Sequence, residues 1–182
     1  MAQSIDFGAS IHVADLAKGP RSYQFSAQKS DFSDLAERLG VHIIHGFSAE
    51  ITATDKGAVH GVKLTGSITL DFEQICSVSM EPFKNNIKCA LNLRLIGGDE
   101  LKRLDEAEAF LNPEFDEYDA LEGDQIDLTE IAIQTVSMEI DPYAHNMAIQ
   151  EISLNNENVS INADPVKKPN PFAQLEELKN KT

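Results

Sequence analysis

Between residues 41 and 96 the chain repeats apolar side chains at two-residue spacing, and this alternation restricts the fold more than any other feature of the sequence. Ile43-Ile44, Phe47-Ala49-Ile51-Ala53, Val59-Val62-Leu64 and Ile68-Leu70-Phe72 each put apolar groups on one side of an extended strand. Asp55-Lys56-Gly57 reads as a turn, because Asp and Gly accept the backbone angles of a tight reversal. Ile75-Cys76-Ser77-Val78-Ser79-Met80 and Ile87-Cys89-Leu91-Leu93-Leu95 continue the pattern around a break at Pro82 and Asn85-Asn86, and Gly97-Gly98 closes it. Several antiparallel strands are predicted. The pattern fits an open sheet and a partly closed barrel equally.

Upstream, Ile11 to Val13 and Tyr23 to Phe25 flank Gly19-Pro20, which predicts two further strands that join the main sheet. Ser30 or Asp31 then caps a short helix with Phe32, Leu35, Ala36 and Leu39 on one side, and Gly40 stops it. Downstream, Leu128, Ile131, Ala132, Val136 and Ile140 recur at three- and four-residue steps, which predicts an amphipathic helix over 128–140. Asp127 can accept from its free amides and Glu130 can reach back, as in a capping box, while Pro142 disfavours helix at Asp141. The β-branched Ile131, Ile133, Thr135 and Val136 argue for a strand instead, but pattern and cap favour the helix. Together these elements make an α+β domain: a β-rich antiparallel body, a short helix before it, and the 128–140 helix packed on it. It is expected to span residues 1–146, including an acidic connector at about 97–125. Residues 147–182 are expected to be a weakly structured tail rich in Asn and Pro, with a short terminal helix around Phe172, Leu175 and Leu178.

A length of 182 residues suits one domain of ordinary size, and 30 acidic against 15 basic residues give a net charge of −15. Such a charge disfavours loose attachment to phosphate backbones or anionic membranes. It is unevenly placed: residues 99–130 hold 13 Asp or Glu against Lys102 and Arg103, a local net of −11 that leaves −4 elsewhere. The segment reads either as a solvated, partly disordered connector or as a docking surface for a basic partner, with Asp116, Glu117, Asp119, Glu122 and Asp124 as the binding candidates.

Two cysteines, Cys76 and Cys89, are too few for a disulfide scaffold or a four-cysteine zinc site. With no secretion signal or membrane span visible, a soluble cytoplasmic protein is expected. No phosphate-binding Gly loop, HExxH or nucleophile elbow occurs. His42, His45 and His60 have no spacing that demands a thiol–imidazole pair with either cysteine, so neither catalytic residues nor a metal or other cofactor are assigned. Lys167, Lys168, Lys179 and Lys181 form the one basic cluster, without the interleaved aromatic residues of an RNA-binding surface, and read as a solubilising terminus.

Cys76 through Pro82, Ile126-Asp127-Leu128, Asp141-Pro142-Tyr143 and Asn170-Pro171-Phe172-Ala173-Gln174-Leu175 occur together in an order that resembles the YceD-type family of bacterial large-subunit ribosomal RNA accumulation proteins. The similarity runs from the strand after Gly40 to the Asn-Pro-Phe tail, and it marks Cys76, Pro82, Asp127, Leu128, Asp141, Pro142, Asn170, Pro171 and Phe172 as motif positions. The resemblance implies a role in synthesis, processing or stability of large-subunit (23S) ribosomal RNA, with a ribosomal protein or a large-subunit precursor particle as partner. Many relatives carry Cys-x-x-Cys where this chain has Cys76-Ser77-Val78-Ser79, and a serine is a poor substitute for a thiolate ligand. Cys76 is therefore expected to be a buried strand residue behaving as a small apolar side chain.

Overall fold

In the computed structural model, which describes residues 2–57, 60–99 and 117–146, the alternating stretch forms three long strands, fewer than its apolar pieces suggest. They are β4 (Ile43–Asp55), β5 (Val62–Ile75) and β6 (Pro82–Gly97). Each pairs antiparallel with the next in an unbroken ladder, apart from a register shift between Ile44 and Gly46. Pro82, Asn85 and Asn86, expected as a break, lie inside β6, and the reversal falls at residues 76–81 instead. Pro82 is tolerated because it opens the strand, where a missing amide costs least.

The sheet is open and mixed rather than closed. β1 (Gln3–Ser4) runs parallel to β3 (Arg21–Ser26), which pairs antiparallel with β4. At the other edge β7 (Glu117–Leu121) runs parallel to residues 93–97 of β6, giving the order β1-β3-β4-β5-β6-β7. Part of the acidic connector is thus a strand. Ser10–His12 does not join this sheet as expected: this strand, β2, pairs with β8 (Gln125–Asp127) in a separate two-stranded ribbon. A 3-10 helix, Val13–Lys18, follows β2, buries Leu16 and separates β2 from β3.

α1 (Phe32–Leu39) buries Leu35 and Ala36 against β4, and Gly40, at φ 65°, ends it in the left-handed conformation that glycine adopts without strain. Asp31 does not cap the helix amides as expected. Its carboxylate instead accepts from the Gln28 amide at 2.8 Å and the Ser30 hydroxyl at 3.0 Å, bracing the approach. α2 (Leu128–Glu139) buries Leu128, Ala132, Ile133 and Val136 over β5 and β6. Asp127 accepts from the Glu130 amide at 2.9 Å as expected. Glu130 does not complete the box; its carboxylate takes a hydrogen bond from Arg38 on α1 and another from Gln134 at 2.9 Å. That pairing holds Glu130 below the ordinary carboxylate range, the Arg38 bond being the larger cause, and raises Arg38.

The inner face of the sheet carries the core: Ile51, Leu64, Ile68 and Leu70 are fully buried. Gly66 sits among them between Ile51 and Leu91, where an added Cβ would lie 2.1 Å from the Glu50 carbonyl oxygen. The close approach of β4 to β5 therefore excludes any side chain at 66.

Two outcomes follow from these contacts. Gly66→Ala is expected to cost more than roughly 2 kcal/mol by urea denaturation, since backbone must move; an unchanged midpoint would show that β4 can shift freely. For Glu130, depressed in the folded state, the stabilisation is complete above the unfolded pKa of about 4.3 and is lost as pH falls through the lower folded value. Glu130→Gln should therefore be modestly less stable than wild type at neutral pH, the pair being partly exposed, and should match it near about pH 2 in the same titration.

Candidate functional site

The fold gathers four motif positions at one corner. Cys76 follows β5 directly, Pro82 opens β6, and Asp141 and Pro142 follow α2 onto the same end of the sheet. Cys76 is buried as expected, at 1% exposure, but it lies in the turn rather than in a strand. Its amide donates to the Glu81 carbonyl and its carbonyl accepts from the Met80 amide, both at 2.9 Å, which closes the reversal between β5 and β6.

The thiol sits in a ring of donors. Its Sγ accepts from the amides of Ser79 and Asn146, each at 3.4 Å. These bonds favour the thiolate: the Ser79 hydroxyl and amide and then the Asn146 amide draw the Cys76 pKa down to about 6, against the opposing effect of burial. Cys89, on the inner face of β6, is pushed the other way by burial and by the Glu139 carboxylate. Cys76 is therefore buried like a small apolar side chain while its sulfur also accepts from two amides.

A strap of residues 141–146 is tied across the turn. Ser77 donates its amide to the Ala144 carbonyl at 3.1 Å and its hydroxyl to the Tyr143 carbonyl at 2.9 Å. Asp141 accepts from the Tyr143 amide at 2.8 Å, so its side chain and Pro142 together shape the bend. Gln74, nearly buried on β5, donates to the Asp141 carbonyl at 3.0 Å and accepts from the Asn85 amide group at 3.1 Å. Gln74 was not singled out in the sequence. Its signal was there, as a polar residue in phase with Leu70 and Phe72 on the buried face of β5.

Asp127 and Leu128 lie at the other end of α2, roughly 18 Å away along the 12 residues of the helix. The acidic candidates gather at this end. Asp119 on β7 accepts from the Ala120 amide at 2.7 Å, and Glu122 and Asp124 are exposed on the turn into β8. That turn is shaped by Gly123 at φ 78°, and the Asp124 carboxylate lies 3.8 Å from His12. Glu117 begins β7, while Asp116, Asn170, Pro171 and Phe172 lie outside the described residues, as does the expected tail. Of the histidines, His45 is engaged by Glu73 at 2.9 Å on the outer face. Among the described residues no group of three or more His, Cys, Asp or Glu is arranged to hold a metal ion, and no helix is long and apolar enough to cross a membrane.

The family model described as large ribosomal RNA subunit accumulation protein YceD matches residues 64–179, which includes the corner, the acidic turn and α2. The chain belongs to the YceD family. Neither a curated protein nor a solved structure matches it. In this YceD chain the matched region begins within β5, so the corner and its strap fall inside the family's shared part and β1 to β4 fall before it.

The depressed thiol carries a pH signature. A group whose folded pKa is lowered stabilises fully above its unfolded pKa, near about 8.5 for cysteine, and loses that contribution as pH falls through the folded value of about 6. Cys76→Ser should therefore lower the thermal midpoint more at about pH 9 than at about pH 5. A deficit independent of pH would mean that Cys76 is held as a neutral thiol.

Proposed function

We propose that this protein supports accumulation of large-subunit ribosomal RNA without catalysis, by binding a basic ribosomal protein or a large-subunit precursor particle in the cytoplasm. Membership of the YceD family carries the first half of this reading. The second half rests on charge: a chain of net −15, with Asp119, Glu122 and Asp124 exposed at one end of α2, attracts Lys- and Arg-rich proteins and repels naked RNA. Cys76 is buried and its sulfur is occupied by amide donors, which suits a structural role better than a nucleophile. Holding a basic protein until it meets its RNA would raise large-subunit RNA without any chemistry on it.

Depletion should lower 23S relative to 16S RNA, and re-expression should restore it; an unchanged ratio in depleted cells would refute the reading. A variant with Asp116, Glu117, Asp119, Glu122 and Asp124 replaced by their amides should restore the ratio incompletely. It should also capture purified large-subunit proteins several-fold more weakly at low salt, with a shallower salt dependence. Equal capture by this variant would remove the acidic turn from the binding surface.

A further inference from the structure

Six large apolar side chains among the described residues are substantially exposed, and Ile43, Ile75, Val78, Met80 and Tyr143 of these belong to the Cys76 corner. Ile43 pairs with Glu73 across β4 and β5, which makes it a diagonal neighbour of Ile75 on the outer face. Val78 and Met80 project from the turn, and Tyr143 stands on the strap that Ser77 holds. These side chains thus stand on one turn, its strap and the adjoining strand ends, on backbone that is hydrogen-bonded across the turn and to the strap.

Stability does not explain these side chains. Met80 is the single non-glycine residue with positive φ among the described residues, at 60°, and its side chain is 73% exposed. Glycine or asparagine would occupy that conformation with less strain, and a polar side chain at 78 or 143 would expose no apolar area. The turn thus carries strain and apolar exposure at the same residue, the combination expected of a surface shaped for something outside the described fold. Methionine adapts readily to an irregular partner surface. Two exposed carboxylates adjoin these side chains, Glu81 next to Met80 in the turn and Asp141 at the start of the strap, while Lys84 lies opposite Glu73 in the β5–β6 ladder and His145 is exposed on the strap.

We propose that this corner docks a basic protein segment, with Val78, Met80 and Tyr143 receiving its apolar anchors and Glu81 and Asp141 its flanking Lys or Arg side chains. Charge complementarity selects the occupant, since the same carboxylates repel phosphates and a second copy of this acidic chain. The inference rests on the reading that the protein acts through a basic protein partner, and it names a second surface for that partner.

The test uses the full chain immobilised and two probes: the salt-extracted protein fraction of purified large ribosomal subunits, and protein-free 23S RNA. Wild type should retain Lys- and Arg-rich proteins, identified by mass spectrometry, and no RNA. The Val78→Ser, Met80→Gly, Tyr143→Ser triple variant should retain them at least tenfold less. Glu81→Gln with Asp141→Asn should weaken retention several-fold and flatten its salt dependence. Met80→Gly alone relieves the backbone, so it should melt at or above the wild-type temperature while still binding several-fold more weakly. Equal retention by Met80→Gly and the triple variant to that of wild type, retention of RNA alone, or variant-sensitive self-association in sedimentation would each overturn the proposal. Loss of retention by a triple variant that still restores 23S RNA would leave the docking surface standing and refute the protein-mediated function. Undiminished retention, abolished instead by neutralising Asp119, Glu122 and Asp124, would do the reverse.

Discussion

The inner face of β4, β5 and β6 must be covered, and the rest of the structure follows from how this is done. Each large side chain buried there, such as Leu64, Ile68 or Leu70, is worth roughly 1.5–3 kcal/mol, whereas a typical hydrogen bond contributes about 1 kcal/mol net. Apolar cover therefore decides where α1 and α2 lie. The Asp127 cap and the Arg38–Glu130 pair then fix only the ends and the relative placement of two helices already held by their buried faces. Because α2 lies over β5 and β6, the chain that leaves it arrives at the turn between those same strands.

That arrival explains why motif residues far apart in sequence work as one unit. Asp141 and Pro142 end the helix and bend the strap, whose amides and carbonyls need partners; Gln74, Ser77 and Cys76 supply them. A serine at 79 fits this arrangement well. Its amide and hydroxyl serve the Cys76 sulfur, and its hydroxyl also accepts from the Glu81 amide at 3.4 Å. The corner is closed by hydrogen bonds to one sulfur, a task that a single cysteine can perform.

Much of this was legible in the sequence because it depends on period. Two-residue alternation located β4 to β6, and the spacing of Leu128, Ala132 and Val136 located α2 and its buried side. The failures share a different cause. Ile11 has the same local pattern whether it pairs in the main sheet or with Ile126, and only tertiary contact decides. Residues 75–80 look like a strand by composition, yet the carbonyl of Cys76 closes on Met80 and a left-handed residue turns the chain. Pro82 and Asn85-Asn86 are turn formers that register with β5 overrides. In the candidate site, the acidic residues were visible as charge and the motif positions as words. The separation of the acidic residues from the Cys76 corner, at opposite ends of α2, was not, because nothing local encodes where a strap lands.

Under the proposed function, the separation would give the two ends different physical roles. Exposed carboxylates such as Asp119, Glu122 and Asp124 act through a field that extends about 8 Å at physiological salt, so they would govern the approach of a basic protein more than its residence time. Apolar anchors act only on contact but persist in salt, and on related interfaces such contacts chiefly set the rate of release. A factor that held a basic protein as proposed and then handed it on would have use for both: a surface that captures quickly and one that holds until competed away. On this reading the acidic end of α2 would meet the first need. The Cys76 corner, with Met80 in a left-handed turn and Tyr143 on the strap that Ser77 holds, would meet the second.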